Sequence, residues 1–151
     1  MTRILVVCLG NICRSPLAHG ILQSKLPEDQ FFVDSAGTGA YHLGQQPDVR
    51  SINVAKQNGI DIRNQSARQF KVSDFDAFDV IYAMDESNYK DIIRLARNNQ
   101  DTDKVKFFLD ANPHISNTNV PDPYHGNAED FKAVFSLIEL TCTRIVKQLT
   151  D

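Results

Sequence analysis

The residues with the clearest chemical potential lie near the start of the chain, where Cys8 and Arg14 are separated by five residues and followed by Ser15. A loop that closes onto a helix N-terminus points backbone N–H groups at one spot, and the helix dipole favours an anion there. Arg14 adds a planar fork of donors that can hold two phosphate oxygens at once. The same positive surroundings favour the thiolate, which is the nucleophilic form of Cys8. The segment therefore predicts phosphate chemistry on a cysteine.

Three other residues of this segment have separate predicted roles. Ser15 can donate its hydroxyl proton to the Cys8 sulfur and ease the later departure of the thiolate. Gly10 lets the backbone approach a phosphate closely, and Asn11 tolerates a left-handed backbone conformation. The alternative is a buried strand-end cysteine and an unrelated surface arginine. The Ser-Pro pair that follows Arg14, with a strand before the segment and a helix after it, disfavours that alternative.

Cysteine attack on a phosphate ester also requires an acid that protonates the leaving oxygen. The candidate is Asp122, which lies between Pro121 and Pro123 in a polar stretch. Proline on both sides stiffens the loop and would hold the carboxyl group over the phosphate cradle. By local sequence alone, however, an Asp-Pro pair is more often a simple turn.

Composition limits the other classes of function. The 151 residues fit one domain, residues 1–151, and 42% hydrophobic with 23% charged residues is ordinary for a soluble globular protein. The net charge of −3 and the lack of a basic stripe predict no nucleic-acid or membrane partner. Three cysteines and four histidines show no ligand spacing, so we expect no metal and no cofactor. The first apolar run is too short for a signal peptide, which predicts a cytoplasmic protein.

The elements that must position these residues alternate along the chain. Apolar and β-branched runs predict strands over residues 3–8, 31–35, 79–84 and 105–109. Apolar stripes at helical spacing predict four helices: one with Ser15 as N-cap and Pro16 at its first position, one over 48–58, one capped by Asp85, and one starting near Asn127. Residues 110–126 form a long polar connection, and such loops are often functional.

Strands that alternate with helices predict an α/β fold with a doubly wound parallel sheet and helices on both faces. In open sheets of this kind, ligands bind beyond the carboxyl ends of the strands, where the winding direction reverses. The loop after the first strand is the usual place, and here it contains Cys8 and Arg14.

Residues 8–16 and 122–126 together resemble the low-molecular-weight protein tyrosine phosphatase family, and residues 34–38 and 84–88 match as well. The resemblance implies a four-stranded sheet in the order 2-1-3-4. It also implies hydrolysis of phosphotyrosine and aryl phosphate monoesters through a cysteinyl-phosphate intermediate. The expected partners are phosphotyrosine proteins, with a tyrosine kinase as a further candidate, and the expected state is a monomer.

Carried over position by position, the resemblance implies Cys8 as nucleophile, Arg14 as phosphate clamp and Asp122 as general acid and base. Ser35 would support the loop by hydrogen bonds, and Asp85 would steady the arginine unless it is a helix cap alone. The implied phosphate-binding loop consists of the remaining residues of the segment: Leu9, Gly10, Asn11, Ile12, Cys13 and Ser15.

Three residues are expected at the substrate pocket. Tyr41 and Tyr124 align with aromatic walls that enclose the substrate ring, the alternative being partly buried surface aromatics, and His42 is a candidate contact. Two positions depart from the family pattern. Gln65 replaces a histidine that many members carry near the loop asparagine, and His125 replaces a frequent second tyrosine at the pocket rim.

Cys13 is not required for phosphate transfer. It shares the loop with Cys8, and a loop wrapped around one anion brings its ends together. We therefore expect peroxide to convert Cys8 to a sulfenic acid that Cys13 captures as a reversible disulfide, as the resemblance also implies. The alternative is that Cys13 is a small apolar filler.

Two rival functions remain open at this point. An arsenate reductase shares this fold and loop, but it needs further cysteines to relay a disulfide outward. Residues 82–89 contain none, and Cys142 lies on the apolar stripe of the last helix. A phosphate-binding module without turnover is the second rival, although it would be expected to have lost Cys8, Arg14 or Asp122.

Overall fold

A computed structural model describes residues 1–151. Its core is a four-stranded, all-parallel sheet in the order β2-β1-β3-β4. The strands are β1 (Thr2–Cys8), β2 (Phe31–Gly37), β3 (Val80–Ala83) and β4 (Val105–Phe107). The predicted fold class and strand order are therefore confirmed.

Helices connect the strands and cover both faces of the sheet. They are α1 (Arg14–Lys25), α2 (Val49–Gln57), α3 (Asp74–Ala77), α4 (Glu86–Arg94), α5 (Asn99–Asp103) and α6 (Ala128–Thr150), with a 3₁₀ turn at Phe108–Ala111. None of these helices is long and apolar enough to cross a membrane.

The β-branched run of β1 explains why the sheet has a core on each side. Successive strand side chains point to opposite faces. Ile4 and Val6 accordingly lie in a core shared with α1 and α6, whereas Leu5 and Val7 lie in a second core on the face covered by α4. Burial on both faces fixes β1 in the middle of the sheet, with Cys8 as its last residue.

The long connection after β4 returns to the carboxyl edge of the sheet. The Val120 N–H donates to the carbonyl of Met84, just beyond β3, at 2.8 Å. This bond places the segment that follows, including Asp122, at the same edge as Cys8. The topology thus brings together residues that are more than a hundred positions apart.

Helix α6 begins where its sequence predicts. Asn127 and Asp130 form a capping box, in which each side chain accepts a hydrogen bond from the other residue's backbone N–H. Cys142 lies on its apolar stripe and is fully buried. The expectation that Cys142 is a core residue is confirmed by this burial.

Three details of the predicted elements are wrong. Helix α1 begins at Arg14, so Ser15 and Pro16 are its second and third residues, and Cys13 stands at the N-cap with no side-chain hydrogen bond. Strand β4 ends at Phe107, because the chain then turns into the 3₁₀ segment. The short helix α5 was not predicted, since its polar residues carry no apolar period.

Candidate active site

The loop that links β1 to α1, residues 8–13, is called here the Cys8 loop. None of the backbone N–H groups of residues 9–13 donates a hydrogen bond to another protein group. Buried backbone donors are nearly always satisfied, and Asn11, Ile12 and Cys13 are buried. Five free donors in one tight loop before a twelve-residue helix therefore form a binding site for an anion, which would accept their hydrogen bonds.

Asn11 gives the Cys8 loop its shape. It is the only non-glycine residue with positive φ, at 56°. Its side-chain amide donates to the hydroxyl oxygens of Ser15 at 2.8 Å and Ser35 at 3.0 Å, and its carbonyl oxygen accepts from the Arg68 N–H at 3.1 Å. The two donated bonds tie the loop to α1 and β2, and the accepted bond ties it to the segment before α3.

The Cys8 sulfur lies 3.0 Å from the Ser15 hydroxyl oxygen. That oxygen accepts a hydrogen bond from Asn11, and its own proton is available to the sulfur. A donated hydrogen bond favours a thiolate over a thiol. This role explains why Ser15 does not cap α1.

Gly37, at the end of β2, is required by the close approach of the Cys8 loop. A Cβ atom at this position would lie 2.7 Å from the Leu9 carbonyl oxygen and 3.1 Å from the Gly10 carbonyl carbon. Both contacts involve backbone, which cannot turn aside as a side chain can. Any larger residue would displace the loop.

His19 belongs to the same network, and the sequence pattern did not reveal it. The ring nitrogen Nδ1 lies 2.9 Å from the Ser35 hydroxyl oxygen, and the residue is buried. Because Ser35 accepts from Asn11, its proton is available to Nδ1. Burial lowers the pKa of His19, so the ring is neutral near pH 7 and can accept this bond. Because Ser35 lies on β2, the sequence of α1 alone does not predict this contact.

Arg14 is buried beside the Cys8 loop, with its side chain 3% exposed. Its Nη1 atom donates to Asp85 at 2.6 Å and to the Val120 carbonyl at 2.9 Å. Nε and Nη2 donate no hydrogen bond within the protein, which leaves one edge of the guanidinium for two ligand oxygens. Burial works against the cation, but the Cys8 sulfur and Asp85 outweigh it and raise the pKa of Arg14.

Asp85 makes the contacts that both of its predicted roles require. One carboxylate oxygen accepts from the Asn88 N–H at 2.8 Å and caps α4. The other accepts the hydrogen bond from Arg14. Since the cap orients the carboxylate, α4 indirectly fixes the direction of the guanidinium.

Asp122 lies across the site from the Cys8 loop. Its side chain is 44% exposed, and Oδ2 is 3.7 Å from Arg14 Nη2. Oδ1 accepts from the Tyr124 N–H at 3.1 Å, which orients the carboxylate within its loop. Residues 120–126 are called here the Asp122 loop.

These residues surround a cavity of about 180 Å³ that has Cys8 and Arg14 at its base. Tyr41 and Tyr124 line its upper part and are 73% and 39% exposed. His42 and His125 line it as well, each with its ring packed near that of Tyr124, at 6.1 and 5.0 Å between centroids. The mouth of the cavity is thus aromatic, while its base is cationic and rich in N–H donors.

Cys13 faces the same cavity but differs from Cys8 in its surroundings. Burial, together with the charges of Asp48 and Cys8, raises the pKa of Cys13 to about 12. Cys13 is therefore a neutral thiol at pH 7, and no disulfide joins it to Cys8.

Gln65 does not reach Asn11. Its side-chain nitrogen donates to the Pro16 carbonyl at 3.0 Å, and its oxygen has no partner. The Arg68 backbone and Ser35 hold Asn11 instead. Gln65 thus supports the first turn of α1 from behind.

Together these features define the chemical capacity of the site. A tetrahedral dianion at the base would accept hydrogen bonds from the backbone N–H groups and from the Arg14 guanidinium. The Cys8 sulfur would lie below it and the Asp122 carboxyl group above it. No three or more His, Cys, Asp or Glu side chains cluster in a way that could hold a metal ion. The fold and site define a protein that acts on phosphate esters through cysteine.

Comparison with known proteins agrees with this geometry. Residues 3–151 match the family model described as "Low molecular weight phosphotyrosine protein phosphatase". The phosphatase of that name from Schizosaccharomyces pombe is 41% identical over 134 residues, 85% of each chain. The one from Homo sapiens is 38% identical over 151 residues, 96% of this chain and 94% of the human protein.

A solved structure, the protein tyrosine phosphatase from Entamoeba histolytica, superposes with a TM-score of 0.92 at 36% identity and covers 99% of this chain and 97% of its own. The chain belongs to the low molecular weight phosphotyrosine protein phosphatase family. The predicted enzyme class, a protein tyrosine phosphatase, is thereby confirmed.

Proposed function

We propose that this chain hydrolyses phosphotyrosine in proteins, with Cys8 as nucleophile, Arg14 as phosphate clamp and Asp122 as general acid and base. The observation that carries the proposal is the set of free backbone N–H groups over residues 9–13, in the loop that joins Cys8 to Arg14 and lines one cavity with both of them. Steady-state assays on aryl phosphates, with and without arsenate and thioredoxin, test it. Phosphate release without a thiol reductant is the expected result.

In the first step the Cys8 thiolate attacks phosphorus in line with the bond to the tyrosine oxygen. A sulfur–phosphorus bond forms as the phosphorus–oxygen bond breaks, and Asp122 gives its proton to the departing phenolate. Arg14 and the loop amides bind the three equatorial oxygens, where transition-state charge accumulates. The products of this step are tyrosine and a phosphorylated Cys8.

In the second step Asp122, now a carboxylate, takes a proton from a water molecule that attacks the phosphorylated cysteine. The sulfur–phosphorus bond breaks, and inorganic phosphate leaves. The hydrogen bond from Ser15 stabilises the returning Cys8 thiolate. Asp122 thus acts as acid and then as base, which requires it to face one reaction centre in both steps.

The surroundings of Cys142 argue against a reductase. Its sulfur is fully buried, with the Ala18 carbonyl 3.9 Å away, so it has no path to the solvent. We propose that the enzyme is cytoplasmic, because all three of its cysteines are free thiols and thiols are kept reduced in the cytosol. We also propose that residues 1–151 form one catalytic domain.

Phosphotyrosine should be cleaved at least about a hundredfold faster than phosphoserine in matched peptides, compared by kcat/KM. Tyr41 and Tyr124 line the mouth of the cavity and can pack on an aromatic ring, whereas a short alkyl chain gains little from them. Replacing both residues by alanine should reduce the preference for phosphotyrosine. Comparable kcat/KM values for the two peptides in the wild-type enzyme would contradict the assignment of these walls.

We also propose that the site is redox-regulated. Peroxide would oxidise Cys8 to a sulfenic acid. Cys13 would then lose its proton and its sulfur would bond to the Cys8 sulfur, forming a disulfide as the sulfenic hydroxyl leaves with that proton as water. Both residues line the same cavity. Because the pKa of Cys13 is raised to about 12, Cys13 stays a thiol and peroxide acts on Cys8 first.

Mild peroxide should therefore inactivate the enzyme, and dithiothreitol should restore most of its activity. Peptide mapping should find a Cys8–Cys13 disulfide. Cys13→Ala should lose activity to the same oxidant but recover far less, because over-oxidation of Cys8 is irreversible. Equal recovery in the two proteins would exclude a protective role for Cys13.

A further inference from the structure

Arg50 makes more contacts than the reaction scheme explains. It lies in the first turn of α2, with a side chain only 34% exposed. Its Nε and Nη2 atoms donate to the two carboxylate oxygens of Asp48 at 3.0 and 2.9 Å. These bonds hold the pKa of Asp48 below its ordinary value, so the pair stays charged near neutral pH.

The remaining donors of Arg50 reach the Asp122 loop. Nη2 donates to the Tyr124 carbonyl at 2.9 Å, and Nη1 donates to the Gly126 carbonyl at 3.1 Å. The flat face of the guanidinium lies 4.4 Å from the centroid of the Phe131 ring. One planar cation thus holds two carbonyls of an irregular loop and rests on the helix that follows it.

The contact with Tyr124 lies two residues from Asp122, the predicted acid. Tyr124 offers its carbonyl to Arg50 and donates its N–H to Asp122 Oδ1 at 3.1 Å. On the other side of the same loop, Arg14 donates to the Val120 carbonyl. The loop is therefore anchored on both sides of Asp122, by one arginine inside the site and one outside it.

Asp48, the ion-pair partner of Arg50, also contacts the Cys8 loop. The Asp48 N–H donates to the Ile12 carbonyl at 2.8 Å. A continuous series of hydrogen bonds thus runs from the Cys8 loop through Asp48 and Arg50 to Tyr124 and Asp122. This series of bonds links the loop that carries the nucleophile to the loop that carries the acid.

We propose that Arg50, held by Asp48, is a positioning residue that fixes the Asp122 loop relative to the Cys8 loop. The inference rests on the proposed function, because it assigns Arg50 an effect on proton transfer by Asp122. It does not give Arg50 any contact with substrate. Loosening a general acid by about 1 Å can cost as much as a hundredfold in rate.

The chain contains a matched control. Arg50 also donates its backbone N–H to Asp48, at 2.8 Å. Arg63 makes the same three bonds to Asp61, from its backbone N–H, Nε and Nη2, at 3.0, 3.0 and 2.9 Å. The Arg63 side chain is 65% exposed, and its guanidinium donates to no loop carbonyl. Arg63→Met therefore removes the same kind of ion pair without touching either loop.

The test measures kcat/KM for phenyl phosphate, whose leaving group needs a proton, and for dinitrophenyl phosphate, whose leaving group does not. In Arg50→Met the value should fall about ten- to a hundredfold for phenyl phosphate and less than about threefold for dinitrophenyl phosphate. The ratio of the two values is independent of how much of the variant is folded. Arg63→Met should leave both values and their ratio unchanged.

Two further measurements separate a positioning role from general damage to the site. Inhibition by inorganic phosphate, which binds the Cys8 loop, should change less than about twofold in Arg50→Met. Adding Arg50→Met to Asp122→Ala should lower kcat/KM for phenyl phosphate by no more than about another twofold, because Arg50 acts through Asp122.

Equal losses on both substrates, the same ratio change in Arg63→Met, or fully additive losses in the double variant would overturn the inference. The proposed function is tested separately in the same assays by the wild type and by Asp122→Ala. If the wild type is inactive, or if Asp122→Ala shows no dependence on the leaving group, it is the proposed function that fails.

Discussion

Replacing Cys8 with serine should abolish turnover, with a loss on the order of 10⁴-fold or more in kcat, while the protein still folds and binds phosphate. A serine hydroxyl is not ionised at neutral pH, so it cannot replace the thiolate. The free N–H groups of residues 9–13 and the open edge of Arg14 remain in the variant. Steady-state assay measures the loss, and calorimetric titration with inorganic phosphate measures the retained binding.

Cys13→Ser is the matched control, since it changes the other thiol of the same loop. It should keep at least about a tenth of the wild-type kcat, because the reaction uses no second sulfur. Activity of Cys8→Ser within tenfold of wild type would contradict the assignment of the nucleophile.

Asp122→Ala should lower kcat/KM by roughly 10²–10⁴-fold on phosphotyrosine and on phenyl phosphate. The loss should shrink as the leaving phenol becomes more acidic, because an acidic phenol departs without a proton. A series of substituted phenyl phosphates measures this dependence. The variant should therefore show a steeper dependence of kcat/KM on the pKa of the leaving phenol than the wild type.

Asp122→Asn separates proton donation from loop structure. An asparagine side chain can still accept the hydrogen bond from the Tyr124 N–H, which Asp122 Oδ1 accepts in the wild type. It cannot supply the proton, so it should behave like Asp122→Ala. A loss that is uniform across leaving groups, or full activity in Asp122→Asn, would contradict the role of general acid.

Much of the fold is predictable because its elements carry strong local signals. The run from Ile4 to Val7 has no polar residue, which is typical of a strand buried on both faces. The apolar stripe and the capping residues of α6 likewise determine where that helix lies. The general rule that ligands bind at the carboxyl edge of such sheets then places the Cys8 loop correctly.

The errors arise where a site overrides local preference. Ser15 has the side chain of a helix cap, but its hydroxyl bonds to Cys8 and Asn11 instead. An N-cap side chain at that point would occupy an N–H group of the first turn of α1, where an anion would bind. The end of β4 is not predictable from the apolar pattern, because Phe108 and Leu109 continue the apolar run of the strand and are buried in the 3₁₀ turn.

The supporting residues are the least predictable part of the site. His19 bonds to Ser35 on a different element, and Arg50 bonds to carbonyls more than seventy residues away. Nothing in the local pattern around either residue distinguishes it from an ordinary helix residue. Such contacts depend on tertiary structure, so only the folded chain reveals them.

The central claim is that phosphate is transferred to Cys8, and rapid chemical quench of the Asp122→Ala variant tests it most directly. With dinitrophenyl phosphate the first step needs no acid, while hydrolysis of the intermediate lacks its base. The phenol should therefore appear in a burst of about one per enzyme molecule, and mass spectrometry should find phosphate on the peptide that contains Cys8. Phenol release with no covalent phosphate, or phosphate on any other residue, would contradict the account.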